Sequence, residues 1–188
     1  MTLTNKIELM APAGNFESLQ AGLDNGADSV YFGVEQLNMR ARATVNFTMD
    51  DLPEIAKRCE AKNVRSYLTL NTIIYDHDLS VVKTLLNKAK EANITAVIAS
   101  DQAVIAMARS IGMEVHISTQ LNVTNIETIK FYSLFADTMV LSRELSLRQV
   151  KKITEQIEKE QIKGPNGNLV EIEIFGHGAL CMAVSGKC

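Results

Sequence analysis

At 188 residues, 46% of them hydrophobic and 22% charged, the sequence has the make-up of one globular domain able to bury a substantial core. A net charge of -3 and an isoelectric point near 5.7 argue against a broadly basic nucleic-acid-binding surface, while leaving room for a local basic patch. No apolar run approaches the roughly 20 residues of a membrane span, no basic-then-apolar leader opens the chain, and three cysteines are too few for a secreted disulfide scaffold, so no membrane and a reducing, cytoplasmic setting are expected.

Strand and helix patterns then alternate along the chain. Residues 7–11 read as a strand that Pro12-Ala13-Gly14 ends. Asn15 is placed to cap a helix carrying Phe16, Leu19 and Leu23, with Gly26 as its stop. Residues 29–33 read as the second strand, and a long polar connection over 35–47 holds Asn38, Arg40, Arg42 and Asn46. The next helix begins near Asp50, tolerates Pro53 in its first turn, and lines up Leu52, Ile55, Ala56 and Cys59 on one face. Residues 65–71 form the third strand, and Asp78 is expected to cap a helix with Val82, Leu85, Leu86 and Ala89 at i, i+3, i+4 and i+7.

Residues 96–99 are apolar throughout, as a parallel strand buried on both faces is. Asp101 caps a helix that runs to about Ser110 and closes at Gly112. Residues 114–118 are strand five, and Thr124 with Glu127 has the capping-box pattern of a fifth helix. Residues 138–141 are strand six. Ser146 opens an amphipathic helix with Leu147, Val150, Ile153 and Ile157 inward, and the charge run 151–163 is its solvated face. Gly164-Pro165-Asn166-Gly167 turns the chain into strand seven, 170–175.

Repeated βα units specify a parallel sheet, so the expected fold class is α/β. Of the two closures, a doubly wound sheet would want a GxGxxG turn, and Ala11-Pro12-Ala13-Gly14-Asn15 lacks those glycines. The expectation is an incomplete TIM-like (β/α)8 barrel over residues 1–188, with about seven parallel strands and six helices. Such barrels typically take about 250 residues, so the end of the barrel and a C-terminal region are expected to be missing. An unclosed barrel leaves two open strand edges, through which the fragment is expected to self-associate.

Active sites of these barrels lie at the C-terminal strand ends. Those ends carry Gly14 and Asn15, the Arg40 and Arg42 loop, Asn71, Ser100 and Asp101, then His116 with Ser118, Thr119 and Gln120, and finally Ser142, Arg143 and Glu144. Arg40, Arg42, Asn71, His116, Gln120, Arg143, Glu144 and His177 are the candidate substrate-binding residues. Arginine suits a carboxylate or phosphate, although Arg143-Glu144 would equally serve as a structural ion pair and the Arg40 loop as solvated surface. Cys59 reads as a core cysteine and His77 as a solvated loop histidine.

The last stretch concentrates the reactive residues, with His177, Cys181 and Cys188 in a glycine-punctuated loop after strand seven. The C-x6-C spacing is not the tight pair of a zinc ribbon. Metal or cluster ligation by Cys181 and Cys188, a His177–Cys181 nucleophile pair, and a structural role all remain open on spacing alone.

Glu173-Ile174-Phe175-Gly176-His177-Gly178-Ala179-Leu180-Cys181, followed by Ser185-Gly186-Lys187-Cys188, closely resembles the signature of the collagenase-like peptidases, peptidase family U32. The resemblance extends to Leu9-Met10-Ala11-Pro12-Ala13-Gly14-Asn15, Gly26-Ala27-Asp28-Ser29-Val30-Tyr31-Phe32-Gly33, Thr69-Leu70-Asn71-Thr72, Ser118-Thr119-Gln120 and Leu141-Ser142-Arg143-Glu144-Leu145-Ser146-Leu147. It implies a TIM-like barrel followed by a C-terminal region. It also implies divided functions: collagen-degrading proteases on one side, and on the other hydroxylation of a tRNA wobble uridine, a ribosomal RNA cytidine or the ubiquinone ring. The hydroxylating members hold an iron–sulfur cluster through four cysteines, two of which would map onto Cys181 and Cys188. The tRNA branch is associated with prephenate as co-substrate, a dicarboxylate that Arg40, Arg42 or Arg143 would clamp. The reading that follows is an iron–sulfur-dependent hydroxylase acting on tRNA or other RNA, inactive as a fragment. The alternatives are a collagenase-like protease and a noncatalytic partner subunit.

Overall fold

Residues 96–99 form a strand that is buried along its whole length, as their unbroken apolar run requires. A computed structural model describes residues 7–34, 47–178 and 182–187. In chain order the elements are β1 (Met10–Ala13), α1 (Phe16–Asp24), β2 (Ser29–Gly33), α2 (Leu52–Ala61), β3 (Arg65–Leu70), α3 (Leu79–Glu91) and β4 (Ala96–Ala99). There follow α4 (Gln102–Ser110), β5 (Glu114–Ile117), α5 (Ile126–Tyr132), β6 (Thr138–Val140), α6 (Leu147–Glu160) and β7 (Glu171–Glu173). Among the described residues, seven strands and six α-helices are the numbers expected.

The seven strands are ordered in the sheet as in the chain, β1 through β7. A doubly wound sheet reverses its strand order at a switch point, and this order never does. The chain divides into two compact units, Met1–Leu70 with Ser80–Ala96, and Asn71–Leu79 with Val97–Cys188.

In the first unit β1, β2 and β3 pair in parallel, with Pro12 opposite Tyr31 and Tyr31 opposite Tyr67. Ala11 and Val30 face α1, since a Cβ placed on Gly22 would touch both. The helices bury Leu19 and Leu23 of α1, Leu52, Ile55, Ala56 and Cys59 of α2, and Val82, Leu85, Leu86 and Ala89 of α3, as their spacing requires. Phe47 packs edge-on against both Phe16 and Phe32. Near the N-terminal strand ends the Tyr67 hydroxyl donates to Glu8 at 2.6 Å, and Arg65 pairs with the same carboxylate at 3.1 Å. Polar groups at that end of a parallel barrel sheet serve stability rather than catalysis.

In the second unit β5, β6 and β7 are parallel in one register: His116 sits opposite Thr138, and Thr138 opposite Glu171. Gly164 to Gly167 turns the chain, with Lys163 bridged to Leu169, and lies against Asp137. A Cβ on Gly164 would come within 2.6 Å of Asp137 Oδ1 and 2.8 Å of its Cα.

Several boundaries differ from expectation, each for a local reason. β1 begins three residues later than expected and runs through Pro12 to Ala13, while Ile7 and Leu9 are exposed. The pairing of Met10 with Ser29 sets the start, and proline is tolerated because β1 heads the strand order. Asp78 does not cap α3; its carboxylate accepts from the Tyr75 N–H and closes a short 3-10 turn ahead of that helix. The cap of α5 is Asn125, accepting from the Thr128 N–H at 3.0 Å, one residue beyond the expected Thr124. Leu147 is exposed rather than inward. At 3.6 residues per turn it stands roughly 100° around α6 from Ile153 and Ile157, which are buried. Asn15, Asp101 and Ser146 cap α1, α4 and α6 as expected.

Two outcomes follow. Gly164→Ala should destabilise the protein by about 1–3 kcal/mol, because the clash is with backbone rather than a yielding side-chain tip; urea unfolding of the two forms measures it. Burial pushes the Cys59 thiol up to about 11. Near pH 8 iodoacetamide should therefore leave Cys59 unmodified in the native protein and label it only in denaturant, as peptide mass spectrometry would read.

Candidate functional site

The second unit brings together polar residues from the connection after β3 and the C-terminal ends of β5, β6 and β7. Ser118, directly after β5, is buried; its N–H donates to the Ala99 carbonyl and its hydroxyl accepts from Asn71 Nδ2 at 3.2 Å. The same hydroxyl caps a 3-10 turn, Thr119–Leu121, that ends at Asn122 in the left-handed region. Asn122 Oδ1 accepts from the Ser142 hydroxyl at 2.8 Å, which ties this turn to the end of β6.

Arg143 and Glu144, the next two residues, fasten the segment that lies between Cys181 and Cys188. The Arg143 N–H donates to Ser185 Oγ at 3.3 Å, and its guanidinium donates to the Ala183 carbonyl at 3.2 Å. Glu144 Oε1 accepts from the Ser185 N–H at 2.7 Å. The Lys187 N–H returns to the Val184 carbonyl and closes a turn. Gly186 makes that turn fit: its φ is +75°, and a Cβ there would lie 2.7 Å from the Gln120 carbonyl oxygen. The loop is thus held from β6 on one side and from the β5–α5 connection on the other.

His116 lies on the same strand face as Glu114 and Ser118, two residues away on either side. Its ring is buried between two carboxylates, with Nε2 3.1 Å from Glu114 and Nδ1 4.0 Å from Glu173 of β7. The 3.1 Å contact with Glu114 orients the ring, and Glu173 stands at ion-pair range on its other side.

Among the candidate residues, Asn71, Gln120, Arg143 and Glu144 therefore meet in one network, Gln120 through its backbone carbonyl. His116 belongs to the separate carboxylate cluster. His177 is exposed on the loop after β7. Arg40, Arg42, Cys181 and Cys188 lie outside the described residues. His77 is exposed, stacked on Tyr75, as a loop histidine should be. Sequence reasoning missed Glu114, Asn122, Glu173 and Ser185. The Glu114-x-His116 spacing was a usable signal, because alternate strand residues share a face. Glu173 and Ser185 stood within the closing motif and Asn122 had no signal, and the contacts of all three depend on register and loop packing.

Among the described residues, no group of three His, Cys, Asp or Glu side chains could hold a metal ion, and no helix is long and apolar enough to cross a membrane. Two thiolates are half of the donor set that an iron–sulfur cluster takes, and Cys181 and Cys188, which would supply them, lie outside the described residues.

The Ser185 N–H, foremost among its hydrogen bonds, holds the Glu144 carboxyl below the ordinary glutamate value of 4.5. A depressed carboxyl stabilises the fold fully above the ordinary value and stops doing so as pH falls through the lowered one. The Ser185 amide should therefore stay protected from hydrogen exchange above pH 4.5 and lose protection in more acid solution, after correction for intrinsic rates. In Glu144→Ala that protection should already be weak at neutral pH.

The family model described as peptidase family U32 matches residues 14–188. A collagenase of Porphyromonas gingivalis is 56% identical over 184 residues, covering 98% of this chain and 44% of the relative. The tRNA hydroxylation protein P of Helicobacter pylori is 35% identical over 187 residues, covering 98% of this chain and 42% of that protein. The chain thus spans less than half the length of either relative. A solved U32 peptidase superposes with a TM-score of 0.67 at 12% identity, covering 93% of this chain and 70% of that one. At that identity the likeness shows the fold, which is α/β of the TIM-like barrel class. The resemblance read from the closing motif holds over nearly the whole sequence: the chain belongs to peptidase family U32.

Proposed function

We propose that the full-length protein is an iron–sulfur-dependent hydroxylase acting on RNA, of the tRNA wobble uridine type, and that this chain supplies barrel strands and two of the cluster's thiolates. The observation that carries the reading is the anchored loop. Arg143 and Glu144 hold Ala183 and Ser185, in the segment that Cys181 and Cys188 flank in sequence, at the strand ends where barrel enzymes work. Relatives named tRNA hydroxylation protein, aligned over 97% or more of the chain, support it.

In this reading Cys181 and Cys188 hold the cluster with thiolates supplied elsewhere in the full-length protein, and the cluster supplies one-electron redox chemistry. Arg40 and Arg42 would clamp the carboxylates of prephenate as co-substrate, while Arg143 is committed in part to the Ala183 carbonyl. The protein would work in the cytoplasm, where its RNA is, and the 188-residue chain alone would be inactive and would self-associate through its open edges.

A protease is the second reading, favoured by the 56% identical relative named collagenase. Against it, the buried serines at this end take other partners than histidine: Asn71 for Ser118, Asn122 for Ser142, and the Arg143 N–H for Ser185.

Anaerobic purification of the full-length protein decides between them. Iron, sulfide and broad visible absorbance are expected, each lost in Cys181→Ser and Cys188→Ser. tRNA from a deletion strain should lack a hydroxylated uridine that the wild-type gene restores and the cysteine variants do not. A colourless, iron-free protein that degrades gelatin and loses that activity in Cys181→Ala would overturn the hydroxylase reading.

A further inference from the structure

Taking RNA as the substrate, as proposed above, we infer that the Tyr75 ring, backed by His77, is a stacking platform for an unpaired nucleobase beside the strand-end network. Both residues lie in the connection after β3, in the same compact unit as Ser118, Arg143 and Ser185. At the start of that connection Asn71 donates to the Ser118 hydroxyl. Tyr75 follows four residues later, and four residues of fully extended chain span at most about 14 Å. The ring is therefore within reach of nucleotides that neighbour one held at the strand ends.

The Tyr75 and His77 rings are parallel, with 2° between their planes and 5.8 Å between their centres. Tyr75 is 60% exposed even with His77 stacked on it, and the His77 side chain is 80% exposed, so the pair offers flat aromatic surface to a third ring. Ile73, on the same connection, is exposed as well. One carboxylate steadies both residues: Asp78 accepts from the Tyr75 N–H at 2.9 Å and lies 3.5 Å from His77 Nε2. That bond closes the 3-10 turn Asp76–Asp78, so the platform is built before a ligand arrives. Exposed rings of this kind are what single strands stack on, and RNA is read largely through bases splayed out against them. Asp76 and Asp78 make the surroundings acidic, which favours contact with a base face over contact with phosphate. A peptide side chain binds best in a pocket that surrounds it, whereas two exposed parallel rings present a plane, the shape a base complements.

Fluorescence anisotropy of the full-length protein tests this, with a hairpin RNA whose loop is unpaired uridines and with an uninterrupted RNA duplex as control. Tyr75→Ala should weaken hairpin binding at least about fivefold, the loss of one base stack, and leave duplex binding unchanged. Tyr75→Phe, which keeps the ring, should stay within about twofold of wild type. Because the contact is not to phosphate, the ratio between wild-type and Tyr75→Ala affinities should be the same at low and high salt. Tyr75→Trp should bind as wild type does, and the emission it adds should be quenched by the hairpin and not by the duplex.

Wild-type affinity of Tyr75→Ala for the hairpin would overturn the inference and leave the RNA reading standing. So would an equal loss on the duplex, or a loss of gelatin binding in place of RNA binding. A wild type that does not bind the hairpin sinks the RNA reading, and the platform with it. Should Tyr75→Ala fail to fold by circular dichroism, Tyr75→Trp decides, and emission that the hairpin leaves unquenched counts against the platform.

Discussion

Thr138 of β6 pairs with His116 on one side and Glu171 on the other, and this shared register decides what meets at the site end of the second unit. Side chains alternate faces along a strand, so a slip of one residue would exchange the polar set for the apolar one. Glu114, His116 and Ser118 share one face, while Val115 and Ile117, fully buried, take the other. The cost of such a slip is the burial of charged groups without partners, which is large compared with the stability of a domain. The register is therefore held by the strand that ends in Ser118, the residue through which β5 enters the site.

Downstream of that register, loops are fixed by polar contacts to backbone rather than by apolar packing. Ser118 caps its turn, Asn122 takes a left-handed conformation and is held by Ser142, and Arg143 and Glu144 reach the last segment through its backbone and Ser185. Directional bonds of this kind determine where a backbone atom lies, whereas apolar contacts would leave a glycine-punctuated loop several arrangements. Residues that look like ligand clamps in the sequence thus meet a different need first. An arginine next to a glutamate at a strand end is as suited to carbonyl and N–H groups of a loop as to a bound carboxylate.

Much of the fold was legible. The helix faces of α2 and α3 followed from apolar spacing alone, and the caps at Asn15, Asp101 and Ser146 from residue type and position. Strand four was readable because its short apolar run follows a helix and precedes a capping Asp101, whereas the apolar run inside α4 follows that cap. The misreadings fell where two local signals competed. Thr124 and Asn125 can each cap, and Asp78 can close a 3-10 turn as well as start a helix. At Leu147 the first turn of α6 lies off the buried stripe, so apolar character misled.

The sequence by itself determined the alternation of elements, the parallel α/β class and the concentration of thiols in the closing loop. These depend on spacing, composition and local hydrogen bonding, which neighbouring residues dictate. Only the tertiary structure decided that His116 lies between Glu114 and Glu173, and that Arg143 and Glu144 turn toward Ala183 and Ser185. Those contacts join residues about 40 or more positions apart, apart from the Glu114 pair. They are set by strand register and by the close seat of Gly186 on Gln120, neither of which any short window of sequence encodes.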